Sequence, residues 1–293
     1  MPRNTRFNIA KNDIVNYFNN NGRNIYSFDV MVEILNENRD IWRLAKRLTT
    51  KAFIELLLAN TKLKSTQLVF PHYNFTRYSW GEPNLIVLLN GLMNNSYFSH
   101  YTALFLHGLT EQIPKNYFIN VEQSEKRNNS KPTLEQTRIE WAFKRKQRET
   151  NNIAIYRDNK IYILNGKFTN KLGVIDFKIN GVDNVNITSI ERTLIDIIVR
   201  PNYAGGIFET LKAYTNAAGK ISINKMAAYI SKLNYTYPYH QSIGFLLEKT
   251  GKYTLNQINI LKQFEMKYDF YLTYGMKEME YSKEWKLFYP KGI

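Results

Sequence analysis

The stretch Tyr97-Phe-Ser-His-Tyr-Thr-Ala-Leu-Phe-Leu-His-Gly-Leu-Thr-Glu-Gln-Ile-Pro114 constrains the fold most, because punctuation sets its order of elements. Ser99 is placed to cap a helix whose apolar positions Ala103, Leu104 and Leu106 recur at helical spacing. Gly108 suits the left-handed residue that closes such a helix, and Pro114 forbids a quick restart. The run Asn116–Glu122 that follows is aromatic and β-branched, which predicts a strand. A helix, a glycine stop, a short loop and a strand therefore sit in mid-chain.

The chain has 293 residues, more than the roughly 100–150 of a usual single domain, so two domains are expected. Hydrophobic residues make up 44% and aromatics 14%, enough for real cores and against global disorder. The net charge of +15 points to a polyanion, nucleic acid first, with an anionic membrane surface or an acidic protein as rivals. A compositional bias towards Lys and Asn is the blander source of that charge. With no cysteine, disulfides and thiolate metal sites are excluded. Met1–Phe7 lacks the apolar run of a signal peptide, and no stretch approaches the roughly 18–20 apolar residues of a membrane span. A cytoplasmic protein that does not engage a membrane is expected.

Residues 1–83 predict several short helices followed by a β-hairpin. Ile9, Ile14, Val15 and Phe18 share one helical face, and Asn19-Asn-Asn-Gly22 ends it. Ser27 opens a second helix, Ile41–Arg47 reads as a third, and Thr49 or Thr50 caps a fourth carrying Phe53, Leu56 and Leu57. Lys64–Phe70 and Phe75–Trp80 read as strands joined by Pro71-His-Tyr-Asn74. This is the order of a winged helix-turn-helix, which docks a helix in the major groove and sets its hairpin on the backbone. Candidate DNA contacts are Arg43, Lys46, Arg47, Thr49, Thr50 and Lys51 around the fourth helix, with Lys62, Lys64 and Arg77 at its exit and on the hairpin. The same residues also fit the solvated faces of a packing module.

Residues 84–293 predict a larger mixed α and β domain, making the whole chain α+β. Asn84–Asn90 reads as a linking helix or as the first element of the second domain, Gln123–Pro132 as an exposed loop, and Thr133 opens a helix running towards Arg148. Arg138, Lys144, Arg145, Lys146 and Arg148 form the densest basic cluster, suited to phosphates, to an acidic partner or simply to solvent. Strands are predicted at 153–156, 160–164 and 173–179, with a short one at 185–187. Thr188 and Glu191 then have the spacing of a capping box, opening a helix that Pro201 stops. Glu191, Arg192 and Asp196 read as its cap and surface ion pairs rather than catalytic groups. Further helices are expected at 207–214, 222–233, 242–251 and 255–266. The aromatic tail at 268–274 and 285–289 reads as strands folded back onto the domain.

No motif of a metal centre, hydrolase elbow or phosphate-binding loop occurs, so neither a catalytic residue nor a cofactor is assigned. His100 and His107 lie two helical turns apart and read as packed or hydrogen-bonded histidines. One enzyme-like set remains an alternative. Asp158, Asp176 and Lys178 on neighbouring strands would suit a metal-dependent nuclease.

Three segments resemble the AbiEi family, the antitoxins of type IV toxin–antitoxin systems. They are Tyr97–Pro114, the Ile187–Tyr214 region with Ser189-Ile-Glu-Arg-Thr-Leu-Ile-Asp196 and Arg200-Pro-Asn-Tyr-Ala-Gly-Gly206, and the winged-helix-like N-terminus. The resemblance implies an N-terminal winged helix-turn-helix that represses its own operon by binding operator DNA. It also implies a C-terminal domain that counters a nucleotidyltransferase-like toxin of the AbiEii class, in most relatives without a stable complex. Such operons are linked with phage defence (abortive infection). The fourth helix is more apolar than a base-reading helix should be, and the loop at Gln123–Pro132 matches no family motif. A plain winged-helix transcriptional regulator is the remaining alternative.

Overall fold

Three hydroxyl side chains start the helices of the N-terminal part. Thr5 accepts a hydrogen bond from the Asn8 N–H (3.3 Å) and opens α1 (Arg6–Asn20), which buries Phe7, Ala10, Ile14 and Phe18 at helical spacing. After the two-residue β1 (Ile25–Tyr26), Ser27 caps α2 (Phe28–Asn38) and Thr49 caps α3 (Thr50–Asn60). The hairpin β2 (Leu63–Val69) and β3 (Asn74–Trp80) follows, then the short α4 (Leu85–Leu89). The strands form an antiparallel sheet in the order β1-β3-β2, with Leu63 opposite Trp80 and Ile25 opposite Ser79. Phe18 stacks on Trp80 and meets Tyr26 edge-on, which ties α1 to this sheet.

The helix expected over 41–47 does not form. Trp42 and Leu44, two residues apart, are both buried, which a helix would place on opposite sides. Arg39 donates from Nη1 to the carbonyls of Ala45 and Leu48, both at 2.9 Å, and Arg43 takes a left-handed φ of +51°. The segment is a loop clamped by one guanidinium.

The computed structural model describes residues 5–125, 133–179 and 183–293, and the chain divides into two units, Met1–Leu92 and Met93–Ile293. Helix α4 thus belongs with the first unit, and the division falls after Leu92 rather than after Pro83. Most of the expected loop at Gln123–Pro132 lies outside the described residues.

The second unit opens with β4 (Tyr97–Phe98), α5 (His100–Leu106) and β5 (Asn116–Glu122). Gly108 closes the helix region at φ +63°, as its position predicts. Ser99 occupies the cap position but bonds no helix N–H; its hydroxyl lies 2.8 Å from Nδ1 of His100. Then come α6 (Gln136–Phe143), β6 (Ile153–Tyr156), β7 (Asn159–Gly166), β8 (Val174–Ile179) and β9 (Asp183–Thr188). The six-stranded sheet runs β6-β7-β5-β4-β9-β8. The β5–β7 and β4–β9 pairs are parallel, and the others are antiparallel.

A helical layer follows: α7 (Ile190–Val199), a 3-10 turn (Pro201–Ala204), α8 (Ile207–Asn216), α9 (Ile223–Leu233), α10 (Tyr239–Lys249) and α11 (Leu255–Lys262). Helix α7 is its axis, with every residue from Glu191 to Ile198 buried. Its cap is Ser189, which accepts from the Arg192 N–H, whereas Thr188 ends β9 and pairs its hydroxyl with Thr193 at 2.7 Å. The tail folds back as expected, through β10 (Phe270–Tyr271), β11 (Met279–Ser282) and β12 (Leu287–Pro290) in the order β10-β12-β11. Its anchor is Trp285, fully buried, with its indole N–H on Glu248 at 2.7 Å. The architecture is α+β. No described helix is long and apolar enough to cross a membrane.

Candidate functional sites

In the first unit the cations cluster where the Arg39-clamped loop meets α3. Arg43, Lys46, Arg47, Thr49 and Lys51 are exposed, and Thr50 is half-buried. Arg43, Lys46, Arg47 and Lys51 have no ion-pair partner among the described residues. They surround the positive end of a helix, a field that attracts phosphate. The remaining predicted contacts are engaged within the unit. Lys64 pairs with Glu82, and Lys62 lies over the Trp80 ring at 5.4 Å. Arg77 is half-buried, its Nη2 donating to the carbonyls of Gly91 (3.1 Å) and Leu92 (3.3 Å), and burial pulls its pKa down. The exposed face of α3 carries Glu55 and Leu58, which are poor base readers.

The second basic cluster is not one surface. Helix α6 ends at Phe143, so Lys144 sits at its negative end while Arg145 lays its guanidinium 3.5 Å from the Trp141 ring centroid. Arg138 reaches Glu135 at 3.8 Å, and Lys146 is exposed. Arg148 lies further on and lines a cavity of about 830 Å³.

That cavity was not legible beforehand, and it is built around the helix read as a surface. Arg192 and Asp196 are almost fully buried and pair at 2.8 Å. Gly173 makes room for Arg192: at φ +75°, a Cβ there would lie 2.9 Å from Cβ of Arg192. Arg192 also donates from Nη1 to the Leu172 carbonyl (2.6 Å). Burial opposes its charge, yet Asp196 more than offsets this and its pKa rises. Burial raises the pKa of the Asp196 carboxyl from its ordinary value, against the pull of Arg192. Glu191 is buried too. Burial disfavours its charge, but Lys225 at 2.9 Å and the Ser222 N–H hold its pKa below the ordinary value. The expected surface ion pairs are therefore buried ones, because α7 has no solvent face.

His100 lines the same cavity with its backbone at φ +50° and its ring edge-on to Tyr203. Burial, followed by the fields of Arg192 and Arg200, pushes its pKa down to about 3. His107 instead donates from Nε2 to the Thr188 carbonyl at 2.7 Å, so the two histidines serve separate contacts. One sequence signal pointed here: Asp196 sits between Ile195 and Ile197, the one charged residue in the otherwise apolar run Leu194–Val199.

The nuclease set is not brought together. Asp158 lies in the β6–β7 turn, at one edge of the sheet, while Asp176 and Lys178 are exposed on β8 at the other. Four strand intervals separate β7 from β8, on the order of 20 Å. Among the described residues no three His, Asp or Glu side chains are placed to hold one metal ion.

No protein-family model and no curated protein matches the sequence. Among solved structures, the fold is similar to that of the RV2827C protein from Mycobacterium tuberculosis, with a TM-score of 0.61 and 11% identity. The match spans 96% of this chain and 91% of that one. At that identity the likeness is one of fold.

Proposed function

We propose that this chain is a cytoplasmic antitoxin of a type IV toxin–antitoxin system that also represses its own operon. On this reading the first unit is a winged helix-turn-helix that binds operator DNA. The second unit counters a nucleotidyltransferase-like toxin, and the chain acts by binding rather than as an enzyme. The observation that carries the reading is the element order α1-β1-α2-α3-β2-β3, with the sheet order β1-β3-β2 and unpaired cations around the start of α3. That order suits a module that lays a helix in the major groove and a hairpin along the backbone. Arg43, Lys46, Arg47 and Lys51 are placed for phosphates, and the polar Thr49 and Thr50 lie beside them. The antitoxin half rests on the resemblance at Ser189–Asp196 and Arg200–Gly206, which together contribute Arg192, Asp196, Arg200 and Tyr203 to the cavity of the second unit.

The direct test is fluorescence anisotropy of the full chain on the promoter segment upstream of its own gene, against scrambled DNA of equal length. The reading expects promoter binding to be tighter by about tenfold or more, and both affinities to fall with salt. Equal affinity for the two duplexes would remove the repressor assignment.

A further inference from the structure

The cavity of about 830 Å³ in the second unit falls within the roughly 300–1,000 Å³ of small-molecule sites, and its lining is unusual in charge. Its deep end holds the buried Arg192–Asp196 pair, and its mouth is formed by the exposed Arg148, Lys167 and Phe168. The carboxylates are largely answered for. Asp196 is matched by Arg192, and Glu149 accepts from the Asn202 amide at 2.7 Å, leaving Glu125 exposed at the rim. The arginines are not. Arg200 uses one N–H on the Arg148 main-chain carbonyl (3.2 Å), and neither guanidinium has an ion-pair partner among the described residues. A guanidinium carries five N–H donors in a planar fork, so most of that capacity faces no protein acceptor. Both residues line the cavity, so their unmatched positive charge favours an anion there.

A second observation narrows the anion. Phe168 is 37% exposed at the cavity mouth, in a stretch flanked by Lys167 and Thr169, where an apolar ring gains nothing from solvent. An aromatic ring and two guanidinium groups lining one cavity match a ligand with a planar base at one end and a phosphate at the other. The volume accepts such a molecule whole.

We infer that this cavity binds a nucleoside phosphate, with Arg148 and Arg200 on the phosphate and Phe168 against the base. The ligand is either a free nucleotide or the phosphorylated end of a nucleic-acid strand. The inference is independent of operator binding by the first unit, because neither its residues nor its probes involve that unit.

Isothermal titration calorimetry on the full chain tests it. The probes are the four ribonucleoside 5′-monophosphates singly, adenosine, inorganic phosphate, and tetra-adenylate with and without a 5′-phosphate. At least one monophosphate is expected to bind about tenfold or more tightly than adenosine or phosphate alone. Arg148→Gln and Arg200→Gln are each expected to weaken it by about tenfold, as loss of a charge-assisted contact should. Phe168→Ala, at an exposed position, is expected to weaken the nucleotide while leaving inorganic phosphate unchanged. Tighter binding of the phosphorylated tetranucleotide than of the monophosphate assigns a strand end, and the reverse assigns the free nucleotide. No heat with any monophosphate, or binding that both arginine variants leave intact, would overturn the inference.

Discussion

Arg192 donates from Nε to Asp196 Oδ1 at 2.8 Å, one turn apart on a helix that has no solvent face. The pair completes a polar network that also takes in the Leu172 carbonyl and, through Thr169, the Glu122 carboxylate. Removing one partner would strand the other charge in the core. Arg192→Met is therefore expected to destabilise the second unit by about 3–5 kcal/mol. The double variant Arg192→Met with Asp196→Leu should recover most of that loss. Urea unfolding followed by near-UV circular dichroism measures both.

Gly244 and Trp285 give a prediction whose sign is informative. Glycine to alanine inside a helix ordinarily stabilises by roughly 0.5–1 kcal/mol. Here a Cβ on Gly244 would lie 2.1 Å from the Trp285 ring, which is fully buried. Gly244→Ala is expected to destabilise instead, by about 1–3 kcal/mol from overpacking. A raised thermal midpoint would show that the tail does not dock on α10.

The cations of the first unit separate into two kinds. Lys46 and Lys51 are exposed without ion pairs, so replacing both with alanine should weaken DNA binding and lower the salt slope by about two. Arg77 is held on the Gly91 and Leu92 carbonyls. Arg77→Ala should cost stability, about 1–3 kcal/mol for the orphaned acceptors, and change the salt slope little. Anisotropy titrations at several salt concentrations, paired with unfolding curves, distinguish the two.

Two buried histidines set a pH dependence. Burial pushes His100 down to about 3 and His240 to about 4, against the ordinary 6.5. Between those values the unfolded chain binds protons that the folded chain does not. Stability is thus fully present above about pH 6.5 and is lost as pH falls towards 4 and then 3. Each histidine contributes a slope of about 1.4 kcal/mol per pH unit in that window. His240→Gln should remove its share, read as a shallower fall in urea midpoint between pH 6.5 and 4.5.

What the sequence disclosed and what it hid have physical reasons. Helix α7, the strand β5 and the stop at Gly108 rest on local periodicity and punctuation, and each stands where the residues place it. The 41–47 segment misled because its shape depends on Arg39 bonding carbonyls six and nine residues away. Asp158 and Asp176 looked adjacent because chain order was taken for sheet order. The sheet instead inserts β5, β4 and β9 between β7 and β8. The exposed cations near α3 were legible because charge at a helix start needs no tertiary knowledge. The cavity was not, since it gathers His100, Arg148, Lys167 and Arg200 from four separate segments. Its central ion pair also has the same spacing as an ordinary surface pair.

The most direct test of the antitoxin reading is growth. The full chain, wild type or with Lys46→Ala and Lys51→Ala, is co-expressed from a fixed promoter with the neighbouring candidate toxin gene. The account predicts that the toxin alone arrests growth and that both versions of the chain restore it, because operator binding is not needed when expression is fixed. Arrest that persists with the wild-type chain present would contradict the account.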